Sequence, residues 1–368
     1  MNAFLQLPAS ERRLAFQQVE SQMGLQAFSV EKDFWVCWTL RELFTLANIG
    51  DHLTFKGGTS LSKAWKLIER FSEDIDLIVD KDALGFDGDA APDNAPSKKQ
   101  RKVRLENLME TCRQWVQGTL QPAFANRLKA ALGETGWRLE VDPDMPDGQC
   151  LLFHYPSVFP VGAAGYVRPV VKIELGARSD DWPHVDKTIQ PYVTELFPAF
   201  APDASFPVRV LAAERTFWEK ACLLHEETFR PADKPRKLRM ARHYYDLWCL
   251  LRAGVGERAL ADQALFQRVA EHREIFFRFS WVDYSTHKPG TFRLVPPDNH
   301  LPDWRADYQA MLGPMFFGET PTFETMMAAA AEFEKIFNAT ACLPHNKSRQ
   351  RSFWIHHLCA TQSSPANR

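Results

Sequence analysis

The sequence has no long hydrophobic run, no strong net charge and no ordered cysteine pattern. No segment approaches the roughly 20 consecutive apolar residues that cross a bilayer, and the N-terminus does not resemble a secretory signal. The 44 lysines and arginines nearly balance 46 aspartates and glutamates, giving a net charge of −2. A nucleic-acid partner would therefore need a local basic patch. We expect a cytoplasmic protein without membrane contact.

The seven cysteines are scattered, with no C-x-x-C pair and no cysteine–histidine spacing that would close a zinc site. This usage indicates reduced, buried thiols and no disulfide-linked partner. Charged residues (24%) and hydrophobic residues (45%) have ordinary globular shares, which excludes wholesale disorder. A chain of 368 residues is long enough for roughly two structural units.

Changes of pattern along the chain divide it into four parts. Helical spacing predicts an N-terminal helical cap over residues 1–50, followed by a core over 51–200. A mostly helical half is predicted over 201–343, and a polar, flexible tail over 344–368. Individual elements predicted from periodicity are strands at 137–141, 150–155 and 167–175 and helices at 105–116, 211–229 and 238–251.

Two aspartates share one face of a predicted strand over residues 71–80. Because side chains alternate along a strand, Asp74 and Asp76 point to one side and the apolar residues between and after them point to the other. Two carboxylates on one face can bracket Mg²⁺ ions. A solvated strand edge is the simpler alternative, whereas an EF-hand is excluded because three apolar residues follow Asp76.

A glycine-rich turn, Lys56-Gly57-Gly58-Thr59-Ser60, comes before this strand. Adjacent glycines let the backbone approach a ligand closely, and Thr59 or Ser60 could cap the helix that follows. A helix start preceded by two glycines is typical of an anion site. It is not a P-loop, because G-x-x-x-x-G-K-[ST] is absent, and a tight turn capped by a hydroxyl is the structural alternative.

Three further charged residues lie on predicted strands or helices. Glu174 shares a strand face with Lys172, so it could supply a third carboxylate or form an ion pair with that lysine. Lys220 lies at the border of an apolar helix face, where it either extends to solvent or binds a buried anion. Asp246 is four residues after Arg242, and a surface ion pair is the simplest explanation of that spacing.

Two dense runs of basic residues are candidates for binding a polyanion, with solvated helix starts as the alternative. The first run is Lys98, Lys99, Arg101, Lys102 and Arg104, and the second is Lys234, Arg236, Lys237, Arg239 and Arg242. A phosphate-rich substrate needs positive charge near the reacting groups, so we expect both runs to contact it.

Together these motifs resemble those of the AbiEii/AbiGii toxin nucleotidyltransferases. Residues 56–63 with 70–77 are similar to the first motif of that family, Lys172-Ile173-Glu174 to the second, the helix around Lys220 to the third and residues 242–247 to the fourth. The resemblance extends over residues 30–338 through Glu31-Lys32-Asp33-Phe34-Trp35, Phe277-Arg278-Phe279-Ser280-Trp281 and residues 290–296. The second motif usually ends in aspartate where this chain has Glu174, and the tail after about residue 342 has no counterpart.

The resemblance implies an α+β fold, in which a polymerase-beta-like nucleotidyltransferase domain, a mixed sheet with flanking helices, is followed by a mostly helical C-terminal domain. It also implies a bacterial toxin of a type IV toxin–antitoxin system, active in phage defence and neutralised by a cognate antitoxin. The expected reaction transfers a nucleotide from an NTP, with Mg²⁺ or Mn²⁺ as cofactor, to an RNA acceptor. In several family members this acceptor is the 3′ end of tRNA, so transfer would block translation and growth.

The resemblance also assigns site residues. The implied catalytic residues are Asp74, Asp76, Glu174, Lys220 and Asp246, of which the first three would hold the metal. Lys220 would bind the nucleotide together with Lys56, Gly57, Gly58, Thr59 and Ser60. The two basic runs, independently of the resemblance, supply the candidate RNA-binding residues Lys98, Lys99, Arg101, Lys102, Arg236, Lys237, Arg239 and Arg242. The alternatives are a non-catalytic nucleotide- or RNA-binding module and a metal-dependent phosphohydrolase.

Overall fold

A computed structural model describes residues 1–70, 72, 74–160, 168–201, 203–313, 315–316 and 318–342. The predicted flexible tail over 344–368 lies outside the described residues. The strands are β1 (Leu53–Lys56), β2 (Ile75–Val79), β3 (Arg138–Val141), β4 (Cys150–His154), β5 (Val170–Gly176), β6 (His184–Ile189) and β7 (Phe206–Leu211). The helices are α1 (Asn2–Leu5), α2 (Ala9–Met23), α3 (Ala27–Phe44), α4 (Gly57–Lys63), α5 (Lys98–Trp115), α6 (Gln121–Leu132), α7 (Tyr192–Leu196), α8 (Ala213–Glu227), α9 (Arg242–Arg252), α10 (Val255–Ala261), α11 (Gln263–Phe276), α12 (Leu301–Met311) and α13 (Phe323–Ala339).

The seven strands form one mixed sheet in the order β3-β4-β5-β2-β1-β7-β6. The pairs β2–β5 and β1–β7 are parallel, and the other neighbours are antiparallel. The strand that carries Asp76 therefore lies in the middle of the sheet, between β1 and β5. The predicted mixed sheet with flanking helices, followed by a mostly helical half, is confirmed.

One face of the sheet packs against helices from the first half of the chain. Alternation on β2 buries Ile75, Leu77 and Val79 in the same hydrophobic core as Leu108 of α5 and Trp35 of α3. Since neighbouring residues of a strand point to opposite faces, Asp76 is turned away from this core. The sheet thus presents its acidic side chains to the opposite side, where the second half of the chain lies.

The second half has a hydrophobic core of its own, rich in aromatic rings. Trp218 of α8 packs against Phe266 of α11 with ring centroids 4.7 Å apart, and against Phe337 of α13 at 5.2 Å. The same core includes Leu61 and Ile68, which flank the turn that leads to β2. The helical half is therefore anchored directly beside the glycine-rich turn.

The motif Glu31-Lys32-Asp33 is a structural anchor on α3. The carboxylate of Asp33 pairs with Lys63 Nζ of α4 at 2.7 Å and accepts a hydrogen bond from the Tyr192 backbone N–H at 2.8 Å. Glu31 accepts hydrogen bonds from Ser157 and from the Val158 backbone N–H. These buried contacts fix α4, and with it the glycine-rich turn, against the N-terminal helices.

The strands expected at 137–141, 150–155 and 167–175 are present with small changes at their ends, and α8 and α9 match two predicted helices. The expected boundary at residue 200 is wrong for the sheet, because β7 lies after it and pairs with β1 through Phe55 and Val210. Pro207 made this segment look like a linker. In the structure it lies opposite Thr188 of the edge strand β6, in a part of β7 that β1 does not pair with.

Within the described part of the chain, the helices lack the combination of length and hydropathy needed to cross a membrane.

Candidate active site

A cleft of about 540 Å³ lies between the acidic face of the sheet and the helical half. Its lining includes residues from all four motifs of the sequence analysis: Lys56, Gly57, Gly58, Asp74, Asp76, Glu174, Lys220 and Arg242. Residues separated by up to about half of the chain are thus brought to one concave surface. A cleft with convergent polar groups is the usual form of a small-ligand site.

Both positions of the turn require glycine, because other groups lie where a Cβ atom would be. Gly57 has φ +77°, and a Cβ added there would lie 2.0 Å from Asp76 Oδ2. A Cβ on Gly58 would lie 2.5 Å from Arg70 Nη2. The turn therefore brings the backbone directly against one carboxylate and one guanidinium of the cleft.

The predicted roles of Thr59 and Ser60 as helix caps are wrong. Helix α4 already begins at Gly57, and both side chains are buried behind the cleft. Thr59 Oγ1 donates to the Asp74 carbonyl oxygen at 2.5 Å, and Ser60 Oγ donates to the Gly57 carbonyl oxygen at 2.9 Å. The Thr59 hydroxyl ties the turn to the aspartate segment, and the Ser60 hydroxyl closes the turn on itself. Lys56, Gly57 and Gly58 remain as the part of the turn that lines the cleft.

Asp76 is surrounded by charge of both signs. It lies opposite Lys56 of β1 and opposite Glu174 of β5 in the strand register. Burial, followed by the charges of Glu174 and Asp74, raises the pKa of Asp76 to about 7, against the opposing effect of Lys56 and Lys220. The carboxylates are therefore crowded enough that they repel one another in the absence of a cation.

Glu174 was predicted either to supply a third carboxylate or to form an ion pair with Lys172, and the structure has features of both. Its side chain lines the cleft, but its Oε1 lies 2.9 Å from Lys172 Nζ, which is also 3.5 Å from Asp142. Among the described residues, no group of three or more acidic, histidine or cysteine side chains is arranged to hold a metal ion. The Lys172 contact engages Oε1 of Glu174, so the role of Glu174 as a third metal ligand stays a prediction.

Asp246 is fully buried and binds two cations that line the cleft. It accepts from Arg70 Nε at 2.6 Å and Nη2 at 2.8 Å, and its Oδ2 lies 2.8 Å from Lys220 Nζ. Burial would raise the pKa of Asp246, but Arg70 and Lys220 hold it well below its usual range. Burial lowers the pKa of Lys220, although the nearby charge of Asp246 acts to raise it.

These contacts decide between the alternatives for Lys220 and Asp246. Lys220 does not extend into solvent, because its partner is the buried anion Asp246. The simple surface ion pair between Arg242 and Asp246 is also wrong, since Asp246 has no exposed surface and binds Arg70 instead. Asp246 itself is absent from the cleft lining, so it positions the two cations from behind.

Two residues that line the cleft, Arg70 and Ser179, were given no role from the sequence. Arg70 lies within the first motif but received no role, although its position just before the aspartate segment was a usable signal. Ser179, which accepts a hydrogen bond from Lys56 Nζ at 2.7 Å, follows β5 and has no distinguishing pattern in the sequence.

The two basic runs lie in different environments. Lys98, Lys99 and Lys102 are exposed at the start of α5, Arg101 is partly buried there, and none of the four is among the described residues that line the cleft. Lys237, Arg239 and Arg242 do line it. Arg236 is instead held by Glu227 at 3.2 Å and lies over the Trp304 ring at 4.1 Å, which is a structural role.

Paired carboxylates, a close backbone turn and buried cations in one cleft suit chemistry on phosphate groups, which places the protein among phosphoryl- or nucleotidyl-transferring enzymes. The family model of the nucleotidyl transferase AbiEii toxin of type IV toxin–antitoxin systems matches residues 38–338. The chain therefore belongs to this family, and it is a nucleotidyltransferase toxin. Membership of a toxin–antitoxin family also implies an antitoxin partner.

Two solved structures are similar to this chain. MenT4, a nucleotidyltransferase toxin from Mycobacterium tuberculosis H37Rv, is 16% identical with a TM-score of 0.47, over 97% of this chain and 100% of that one. JHP933 from Helicobacter pylori is 13% identical with a TM-score of 0.41, over 92% of this chain and 100% of that one. No curated protein matches the chain.

Proposed function

We propose that this protein transfers a nucleotide from an NTP to a hydroxyl of an RNA acceptor, with the 3′ end of tRNA as the preferred site, in a reaction that depends on Mg²⁺. The observation that carries the proposal is the position of Asp74 and Asp76 in the same cleft as the cations Lys220 and Arg70. The carboxylates suit a metal ion bound to a triphosphate, and the fixed cations suit the negative charge of the phosphate groups themselves.

Asp74 and Asp76 would hold the divalent cation. Carboxylate oxygens are the ligands that Mg²⁺ prefers. Burial, together with the nearby charges of Glu174 and Asp74, raises the pKa of Asp76, and a bound cation would relieve this repulsion. When bound, the cation would neutralise the triphosphate and lower the pKa of an attacking hydroxyl. Glu174 would join as a third ligand only after it exchanges Lys172 for the metal.

The triphosphate would bind between the glycine-rich turn and the buried cations. Gly57 and Gly58 expose backbone at the start of α4, and Lys220 and Arg70 approach from the helical half and the preceding segment. Because Asp246 fixes both cations, their charges are already in place before the substrate binds. Such preorganised charge stabilises the phosphate charge that builds up as pyrophosphate leaves.

The acceptor would approach along the second basic run. Lys237, Arg239 and Arg242 line the cleft, so they are placed to bind the phosphates of an RNA whose terminal hydroxyl reaches the metal side. Transfer onto the acceptor end of tRNA would prevent aminoacylation, block translation and stop growth. An antitoxin would reverse this arrest, and arrest of an infected cell would serve phage defence.

The decisive experiment incubates the protein with each α-labelled NTP, Mg²⁺ and total RNA, followed by gel separation of the RNA. We expect one or more NTPs to label an RNA band of tRNA size, with release of pyrophosphate and loss of label when Mg²⁺ is chelated. Free phosphate without labelled RNA would indicate a phosphohydrolase. Labelling of a protein band would refute RNA as the acceptor.

A further inference from the structure

The segment Phe277-Arg278-Phe279-Ser280-Trp281 follows α11 and forms an aromatic wall of the cleft. Both Phe277 and Phe279 belong to the cleft lining. The Phe279 ring stacks on the Trp281 ring, with centroids 4.5 Å apart and an angle of 21° between the planes. The transfer reaction proposed above uses none of these rings.

The backbone of this segment is braced by a single tyrosine. The Tyr284 hydroxyl accepts a hydrogen bond from the Phe279 N–H at 3.0 Å and donates one to the Phe277 carbonyl oxygen at 3.3 Å. Tyr284 is itself buried. The aromatic wall is therefore held in place before any ligand binds, which reduces the entropy cost of binding to it.

Cations surround the aromatic wall. Lys234 Nζ lies 4.4 Å from the centre of the Trp281 ring, and the Arg230 guanidinium lies 5.4 Å from it. Phe277 has Arg178 at 4.9 Å and Arg273 at 5.6 Å. Aromatic rings interleaved with cations are the pattern by which proteins bind single-stranded nucleic acid, since rings stack on bases and cations bind phosphates.

Besides the cations proposed to bind the triphosphate, further cations lie at this end of the cleft. Lys220 and Arg70 already serve the proposed triphosphate site, and the loop between α8 and α9 adds Lys237 and Arg239 to the lining, with exposed Lys234 beside them. A donor nucleotide brings one base and one triphosphate, whereas an RNA strand brings further phosphates next to each base. Cations placed beside the rings therefore favour a polynucleotide as the occupant.

We propose that Phe279, backed by Trp281, is a stacking platform for an unpaired base near the end of the RNA acceptor, with Lys234 and Lys237 binding the adjacent phosphates. This proposal rests on the proposed function only in taking RNA as the acceptor. It adds a site that recognises single-stranded RNA by its exposed bases, because a paired base cannot offer its face to a protein ring.

Equilibrium binding of a fluorescent single-stranded oligoribonucleotide to the full chain, in the absence of NTP and metal, tests the proposal. A blunt-ended RNA duplex of equal phosphate number, which has no unpaired base, serves as the second probe. Phe279→Leu keeps apolar bulk but removes the ring, and we expect about tenfold weaker binding of the single strand. Binding of the duplex should not change, since it depends on phosphates alone.

Two matched variants complete the comparison. Trp281→Phe keeps a ring behind Phe279 and should retain single-strand affinity. Trp182→Leu removes an exposed tryptophan that also carries a cation, Arg268 at 4.8 Å, but lies away from the cleft lining, and it should bind both probes as the wild type does. Lys234→Gln should reduce the slope of log affinity against log salt by about one for the single strand.

The proposal is overturned if Phe279→Leu binds the single strand as tightly as the wild type, or loses equal affinity for both probes. It is also overturned if the variant instead loses affinity for the NTP, which would make the wall a donor-base site. These binding results do not depend on turnover. Failure of the wild type to label any RNA would refute the proposed function, whereas selective loss of single-strand affinity would still support the platform.

Discussion

At the scale of single residues, Asp76 is a carboxylate whose position in the cleft is closely restricted by its neighbours. It faces Lys56 and Glu174 across the neighbouring strands and lies 2.0 Å from where a Gly57 Cβ would be, so its carboxylate has little freedom. This confinement is useful only if the carboxylate binds something at a fixed point. A metal ion held beside the reacting phosphorus would be such a ligand.

We expect Asp76→Asn to reduce transfer by about three orders of magnitude, or roughly 4 kcal/mol of transition-state stabilisation, because a metal ligand is lost. Stability measured by urea unfolding in EDTA should not fall, since one of several mutually repelling carboxylates is removed. Asp80→Asn, just beyond the end of the same strand, is the matched control and should remain active. Wild-type transfer by Asp76→Asn in Mg²⁺ would refute the metal site.

His225 of α8 is a buried histidine that the fold keeps neutral. Its Nδ1 accepts from the Arg293 backbone N–H at 2.9 Å, and its Nε2 lies 2.9 Å from Thr286 Oγ1. Burial, with a smaller effect of His287, lowers the pKa of His225 to about 3. The unfolded chain therefore binds a proton at this residue near pH 6.5, whereas the folded chain binds it only near pH 3.

The stability contributed by neutral His225 should be complete above about pH 6.5 and decline as the pH falls toward 3. One proton taken up only by the unfolded state lowers the free energy of unfolding by about 1.4 kcal/mol per pH unit. We expect His225→Gln to reduce the slope of unfolding free energy against pH by this amount between pH 6 and 4, in urea titrations. Equal slopes in variant and wild type would show that His225 is charged in the folded protein.

At the scale of elements, the glycine-rich turn between β1 and α4 combines a left-handed backbone with close contact to a carboxylate. Gly24, at the end of α2, has a similar φ of +71° but no atom within 4 Å of an added Cβ. Substitution of Gly24 would therefore report the cost of the left-handed backbone alone, whereas substitution of Gly57 would report that cost together with the steric contact.

Both Gly57→Ala and Gly24→Ala should lose about 1–2 kcal/mol of stability from the backbone alone, because alanine disfavours this backbone region. Gly57→Ala must additionally displace Asp76, so we expect it alone to lose transfer activity and Mg²⁺ dependence. Thermal unfolding and the labelling assay on both variants make the comparison. Activity in Gly57→Ala equal to that in Gly24→Ala would mean that the position of Asp76 does not matter.

Sequence patterns predicted the elements whose signal is local. Alternation fixed the face of Asp74 and Asp76, and helical spacing found α8 and α9. By contrast, β1 has only four residues, too few to show a period, and Pro207 disguised β7. The partnership of Arg70 with Asp246 spans 176 residues, and spacing rules carry no information about such a contact.

At the scale of the whole molecule, Asp246 connects the two halves. It belongs to α9 of the helical half, whereas Arg70 lies just before the central strand β2. Both side chains are buried, so water and salt screen their attraction less than that of a surface pair.

Asp246→Asn should destabilise the protein by about 3–5 kcal/mol, because it leaves Arg70 and Lys220 buried without a counter-charge. Transfer should fall even at temperatures where the variant is folded, since both cations lose their positions. Glu319→Gln, which breaks an exposed pair with Arg252, is the control and should have a far smaller effect on unfolding. Similar unfolding curves for the two variants would contradict the structural role of Asp246.

The division of the cleft between two halves also sets an order during protein synthesis. The seven described strands, with Asp74, Asp76 and Glu174, are translated by residue 211, whereas Lys220 and Asp246 follow later. A growing chain on the ribosome thus carries the carboxylates of the sheet before it carries Lys220 and its partner Asp246. We expect stalled nascent chains to label RNA only when they are long enough for α9 to have left the exit tunnel, so the activity proposed here would begin before synthesis of the chain ends.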